Sequence, residues 1–151
     1  MGDRHLRELC NHAAARGIVL HLQNHPTRFF PSSGELTRFV ASLGKANVRY
    51  ALNVGHLLAY RGADGEREDL ASAAEKAGES CELVLLSAPF VDASELVYDA
   101  HLPVVGSPYA AKVRALVKKL AKLAGKVLVL DAVFPDRDAE FAEALALLSA
   151  R

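Results

Sequence analysis

The strongest constraint on the fold is an alternation of short apolar runs with longer segments of helical periodicity. The apolar runs are GIVLHLQ (17–23), VRYALN (48–53), CELVLLS (81–87) and KVLVLDAVF (126–134). Strands that are separated by helices pair in parallel through right-handed crossovers, and buried parallel strands are apolar along most of their length. The sequence therefore predicts an α/β fold of parallel βα repeats with four strands.

The segments between these runs carry the start and stop signals of helices. Helices are predicted over residues 3–16, 32–43, 66–78, 109–124 and 138–150. Ser32 and Glu35 form an S-x-x-E capping box at the start of the second helix, and Gly125 is expected to end the fourth. The stretch 88–108 contains three prolines and is predicted to be mostly loop, with at most one short helical or extended piece.

Length and composition exclude several classes of protein. The 151 residues suit one domain over 1–151, and 18 basic against 18 acidic side chains with 7% aromatics argue against nucleic-acid binding. No apolar run approaches the roughly 18 residues of a membrane span, and the charged start MGDRHLRELC is unlike a signal peptide. Cys10 and Cys81 are expected to be small buried residues. We expect a cytoplasmic protein without nucleic-acid or membrane partners.

Polar residues follow the apolar runs at equivalent places. They are Gln23, Asn53, Ser87 and Asp131. In parallel α/β sheets the ligand site lies beyond the carboxyl ends of the strands, so these side chains are expected to share one rim, although each could instead cap a loop or helix. His25 and His56 closely follow two of the strand ends, and His56 is the stronger candidate for facing the site. Surface or packing roles are expected for the remaining histidines, His5, His12, His21 and His101.

The stretches GIVLHLQNH, NVRYALNVGHLL, HLPVVG and KVLVLDAVF resemble the xylose isomerase-like TIM barrels. That family contains sugar isomerases, sugar-phosphate isomerase/epimerases and type IV endonucleases. The resemblance covers nearly all of this chain but only the C-terminal half, strands five to eight, of the family's fold. It implies a half barrel rather than a complete one.

The resemblance also implies a metal site that this sequence preserves poorly. In the family, a Glu, the Asp and His of a D-x-G-H segment, a residue of the seventh strand and a final Glu bind a divalent metal, while paired Glu residues transfer protons between sugar carbons. The matching positions here are Gln23, Asn53, His56, Ser87 and Asp131. Only the histidine is retained, and the last position has the shorter acid.

These replacements predict a changed function. Hard divalent cations need anionic oxygen ligands, and neutral amides neither supply that charge nor transfer protons near pH 7. We therefore expect no cofactor, or only weak metal binding by His56 and Asp131, in a non-catalytic isomerase/epimerase-like module. The module would bind a sugar-like molecule or serve in assembly, and its ligand residues would be Gln23, His25, Asn53, His56, Ser87 and Asp131.

Two other functions remain open. One is an active isomerase or epimerase that uses Mn, Mg, Co or Zn, with His56 and Asp131 as catalytic candidates and a partner completing the site. The other is a nucleotide- or phosphate-binding open α/β domain, which the absence of G-x-G-x-x-G and P-loop motifs disfavours.

Four strands cannot close a barrel that needs eight. The open edges and inner face of a half barrel could be covered by a second copy of the chain or by a separate N-terminal half. Alternatively, the strands could rearrange into an open flavodoxin-like sheet with helices on both faces. We expect the homodimer.

Overall fold

Alternating helices and strands make up most of the chain. The computed structural model describes residues 2–27, 29–62, 66–94, 97–120, 126–132 and 138–149. The helices are α1 (Gly2–Ala14), α2 (Ser33–Leu43), α3 (Val54–Ala59), α4 (Leu70–Ala77), α5 (Ala110–Leu120) and α6 (Asp138–Ser149), with a 3₁₀ turn at Gly78–Ser80. The strands are β1 (Leu20–Gln23), β2 (Val48–Asn53), β3 (Cys81–Leu86), β4 (Ala88–Val91), β5 (Val97–Leu102) and β6 (Val127–Leu130).

A four-stranded sheet of order β1-β2-β3-β6 forms the centre of the fold, and all of its pairs are parallel. This confirms the predicted α/β architecture of four parallel strands. Its strands lie in chain order, as in a segment of a barrel, whereas a flavodoxin-like sheet reverses direction at a switch point. The flavodoxin-like alternative is therefore wrong.

One face of this sheet is buried under helices. Alternate strand residues such as Tyr50, Leu52 and Val84 join apolar residues of the helices in one core. Burial raises the pKa of the Tyr50 phenol far above its ordinary value, so this side chain is neutral. Cys10 and Cys81 are free and buried, as predicted.

Within the described part of the chain, the opposite face of the sheet has no comparable cover. Its residues include Leu83, Leu85 and Val129, which are half-buried, and Val127, which is 54% exposed. A register shift between β2 and β3 at the start of β3 places Glu82 on this face as well.

The predicted elements agree with the structure except near the strand ends. The Ser32–Glu35 capping box is present at α2, whereas Gly125 lies outside the described residues. The prediction of mostly loop over 88–108 is wrong, because β4 and β5 form an antiparallel hairpin there. Pro89 interrupts β4, and Asp99 and His101 lie within β5, so neither short strand shows a clear apolar alternation in the sequence.

Helix α3 was not predicted either. It begins directly at the end of β2, where the side chain of Asn53 accepts a hydrogen bond from the backbone N–H of His56. With only six residues, its apolar positions are too few to show a helical period. Among the described residues, no helix is long and apolar enough to cross a membrane.

Candidate functional site

Asn53 and Asp131 meet at the carboxyl ends of β2 and β6. The Asn53 Nδ2 donates a hydrogen bond of 3.1 Å to Asp131 Oδ2. The Oδ1 of the same amide accepts from the His56 backbone N–H at 3.2 Å, so both ends of the side chain have a fixed role. The structure thus brings together two of the predicted strand-end residues, although they lie 78 positions apart in sequence.

Asn24 ties the end of β1 to the end of β2, and the sequence analysis missed it. Its side chain is completely buried. It donates to the backbone carbonyl of Asn53 at 3.0 Å and accepts from the Asn53 backbone N–H at 2.9 Å. The hydroxyl of Tyr50 approaches the same Asn24 oxygen at 3.4 Å. The signal for Asn24 is a polar residue directly after an apolar run, but Gln23 is the first such residue in the sequence and so masks it.

His56 is buried at the start of α3, below the rim. Its Nδ1 lies 2.6 Å from the backbone carbonyl of Asn24, and because a carbonyl only accepts, Nδ1 carries the proton. Its ring centroid is 4.6 Å from that of His25 and 5.5 Å from that of His101. The expectation that His56 and His25 lie near the strand ends agrees with this placement.

His101 lies at the same rim, next to Asp131. Its Nδ1 is 3.1 Å from Asp131 Oδ2 and 3.2 Å from the Asp131 carbonyl. Its backbone is left-handed, with φ of 46°, an arrangement that costs a non-glycine residue about 1 kcal/mol or more. His101 was expected to have only a surface or packing role. The hairpin instead brings its side chain to the strand ends, next to Asp131.

Gln23 and Ser87 stand apart from this cluster. Gln23 is exposed at the end of β1, and in the described part of the chain it has no hydrogen bond to the other predicted site residues. Ser87 is buried, and its hydroxyl has no hydrogen-bond partner among the described residues. A Cβ added at Gly55 would lie 2.3 Å from Ser87 Oγ, so the glycine allows α3 to pack against the end of β3.

The donors at this rim do not fit the metal of the resembling family. Within the described ranges, no group of three or more His, Cys, Asp or Glu side chains is arranged to hold a metal ion. Asn53 turns its amide nitrogen, which cannot ligate a cation, toward Asp131. One carboxylate with imidazoles and amides is a weak set for a hard divalent cation.

A cavity of about 360 Å³ opens beside this rim, between the chain after β1, the end of α3 and β5. His25, Tyr60 and Tyr98 are among its lining residues. A larger cavity of about 580 Å³ lies near the start of α2, where Arg38, Glu68 and Lys76 contribute to its wall. In parallel sheets, ligand sites lie beyond the carboxyl ends of the strands, whatever the sizes of the other cavities. The smaller cavity, beside this rim, is therefore the better candidate for a ligand site.

Comparisons with known structures show barrels of similar fold. A 3-keto-D-glucoside 4-epimerase from E. coli superposes with a TM-score of 0.65 and 16% identity, covering 99% of this chain and 52% of that one. A D-psicose 3-epimerase with D-tagatose, from Clostridium cellulolyticum H10, gives a TM-score of 0.63 and 16% identity, covering 97% and 53%. A xylose isomerase-like TIM barrel protein from Mycobacterium smegmatis in complex with magnesium gives 0.63 and 16%, covering 97% and 49%.

The chain thus spans about half the length of the structures that it matches. No curated protein sequence matches it. The sequence model of the xylose isomerase-like TIM barrel matches residues 4–149, nearly the whole chain. Fold, strand order and sequence therefore agree, and the chain belongs to the xylose isomerase-like TIM barrel family.

Proposed function

We propose that this chain is a non-catalytic member of its family, a module for binding a sugar-like ligand or for assembly that has lost the divalent metal. The observation that carries the proposal is the hydrogen bond from the Asn53 amide to Asp131. It joins the two rim positions that correspond to acidic metal ligands in the resembling family.

Electrostatics explains why this bond favours a metal-free rim. Two carboxylates at a separation of 3.1 Å repel each other unless a cation or a proton lies between them. The Asn53 amide supplies a hydrogen-bond donor to Asp131 in place of that cation. Its other end still caps α3, so the local fold is kept without the metal.

Proton transfer is also poorly supported at this rim. The neutral amides of Gln23 and Asn53 cannot act as general bases near pH 7, which leaves Asp131 as the only carboxylate among the predicted site residues. Amides, imidazoles and one carboxylate can nevertheless bind the hydroxyl groups of a neutral polyol through hydrogen bonds. The cavity beside His25 offers room for such a molecule.

Metal analysis of the tag-free protein tests this proposal. After loading with Mn²⁺ or Co²⁺ and desalting, the wild-type chain should retain well below one metal ion per chain. The variant Asn53→Asp restores a second carboxylate beside Asp131 and should retain more metal than the wild type. Asn11→Asp adds the same charge at an exposed position of α1, and it should leave metal retention unchanged.

The alternative of an active metal-dependent isomerase or epimerase predicts the opposite result. Stoichiometric metal in the wild-type chain, with ketose or aldose isomerisation that a chelator abolishes, would refute the non-catalytic proposal. Equal metal retention by the wild type and Asn53→Asp would show that the Asn53 amide does not exclude the metal, and would contradict the proposal.

A further inference from the structure

The uncovered face of the central sheet combines apolar residues with two open edges. Leu83, Leu85 and Val129 are half-buried there, and Val127 is 54% exposed. The outer strands of the sheet are β1 and β6, which have four residues each, and among the described residues one side of each has no paired strand. Unpaired strand edges beside an apolar surface favour association.

We infer that a second copy of this chain covers this face, with β6 of each copy pairing in parallel with β1 of the other to close an eight-stranded barrel. A twofold axis along the barrel keeps all strands parallel, as closure requires. The family fold supports this arrangement, because TIM barrels have eight parallel strands and this chain contributes one half. A second copy is thus the partner of the proposed module, and only the rim contact described below rests on the proposed function.

The charges on the uncovered face allow such a pairing. Glu82 accepts hydrogen bonds from Arg49 Nε at 2.7 Å and contacts His21 Nε2 at 3.1 Å. The hydrogen bond from Arg49 is the main cause that lowers the pKa of Glu82. The charge of Glu82 is therefore balanced by Arg49 within each copy. When two copies meet, their Glu82 side chains do not face each other as unpaired like charges inside the barrel.

At the rim of the closed barrel, the polar residues of the two copies would also complement each other. In the circular order, the strand after β6 is β1 of the partner, so Gln23 would neighbour Asp131 of the partner subunit. A carboxylate has about four acceptor positions and can accept from a further amide. A glutamate at position 23 would instead set two carboxylates side by side. The exposed Gln23, which bonds to no other predicted site residue within its own described chain, would gain a partner.

Solution mass at micromolar concentration tests this inference, measured by sedimentation equilibrium on the full chain. We expect the wild type to be a dimer. Val127→Glu places a charge on the apolar face and should raise the dimer Kd by on the order of 100-fold. Leu9→Glu makes the same change at a residue that is 52% exposed on α1, and it should leave the Kd unchanged.

The variant Gln23→Glu tests the predicted rim contact. Its two symmetry-related carboxylate pairs should raise the dimer Kd by about tenfold at low ionic strength and by less at high salt, which screens their repulsion. Circular dichroism of each variant shows whether the fold is retained. A monomeric wild type, or a dimer that Val127→Glu leaves intact, would overturn the inference. Neither result depends on the metal content that tests the proposed function.

Discussion

The two faces of the central sheet differ although they belong to the same strands. On β3, Leu86 is completely buried under the helices, whereas its neighbour Leu85 lies half-buried on the opposite face. Both are leucines in one apolar run, so their intrinsic preferences are identical. The difference arises because α2, α4 and α5 pack on one side only, and it shows that an apolar run by itself does not say which of its residues are in the core.

Replacing these neighbouring leucines should give the largest effect. Leu86→Ala should lower the free energy of unfolding by about 3 kcal/mol, because it opens a cavity in a packed core. Leu85→Ala should cost about 1 kcal/mol, since its surface is only partly removed from water. Urea unfolding of both variants in the Val127→Glu background would measure these values on a single copy.

Equal costs for the two leucines would contradict the contrast between the faces. In the wild-type background, Leu85→Ala should become more costly as protein concentration rises, because the inferred dimer buries this residue. Leu86→Ala should show no additional dependence on concentration, since its contacts lie within one copy.

An intermediate effect is expected at the rim, where α3 packs against the end of β3. Gly55→Ala should destabilise the fold by about 2 kcal/mol, because the added methyl would lie 2.3 Å from Ser87 Oγ. Removing that hydroxyl should relieve the clash, so Gly55→Ala/Ser87→Ala is expected to be close to the wild type. Thermal unfolding of both single variants and the double variant completes the cycle.

The single variant Ser87→Ala serves as the control for this cycle. Its hydroxyl is buried and has no hydrogen-bond partner among the described residues, so its removal should be neutral or slightly stabilising. A strongly destabilised Ser87→Ala would indicate that the hydroxyl has a bound partner and would contradict the packing interpretation.

The smallest effect is expected on the uncovered face, at Glu82. Its pKa is lowered in the folded chain, mainly by the hydrogen bond from Arg49, so its stabilisation is present above the unfolded pKa and is lost as pH falls through the folded pKa. In a single copy of the chain, where this face is open to solvent, screening limits the contribution to less than about 0.5 kcal/mol. Glu82→Gln should therefore be slightly less stable than wild type near pH 7, and the difference should vanish in acid.

Urea titrations of Glu82→Gln and the wild type at several pH values, at protein concentrations too low for the dimer, would measure that difference. Glu79→Gln is the matched control, because Glu79 is exposed in the 3₁₀ turn before β3. A stability difference that grows as pH falls would contradict the assigned sign.

Much of the fold could be predicted from the sequence because its signals are local. Each signal involves residues only a few positions apart: the apolar runs, the Ser32–Glu35 capping box and the helical periodicities. Together they predict four parallel strands separated by helices, as the structure shows. The hairpin at 88–102 and helix α3 were missed, since short exposed elements lack a distinct period. The candidate site could likewise be predicted only in part. The meeting of Asn53 with Asp131 follows from parallel topology, whereas the roles of Asn24 and His101 depend on side-chain directions.

The sequence alone specifies the succession of strands and helices, the polar residues at the strand ends, and the amides that replace acids of the resembling family. The tertiary structure shows which face of the sheet is covered by helices. It also shows that the Asn53 amide donates a hydrogen bond to Asp131. It also placed Gln23 on an open edge. The physical reason is that burial and hydrogen bonding between distant residues depend on how the helices pack on the sheet, which no local pattern encodes.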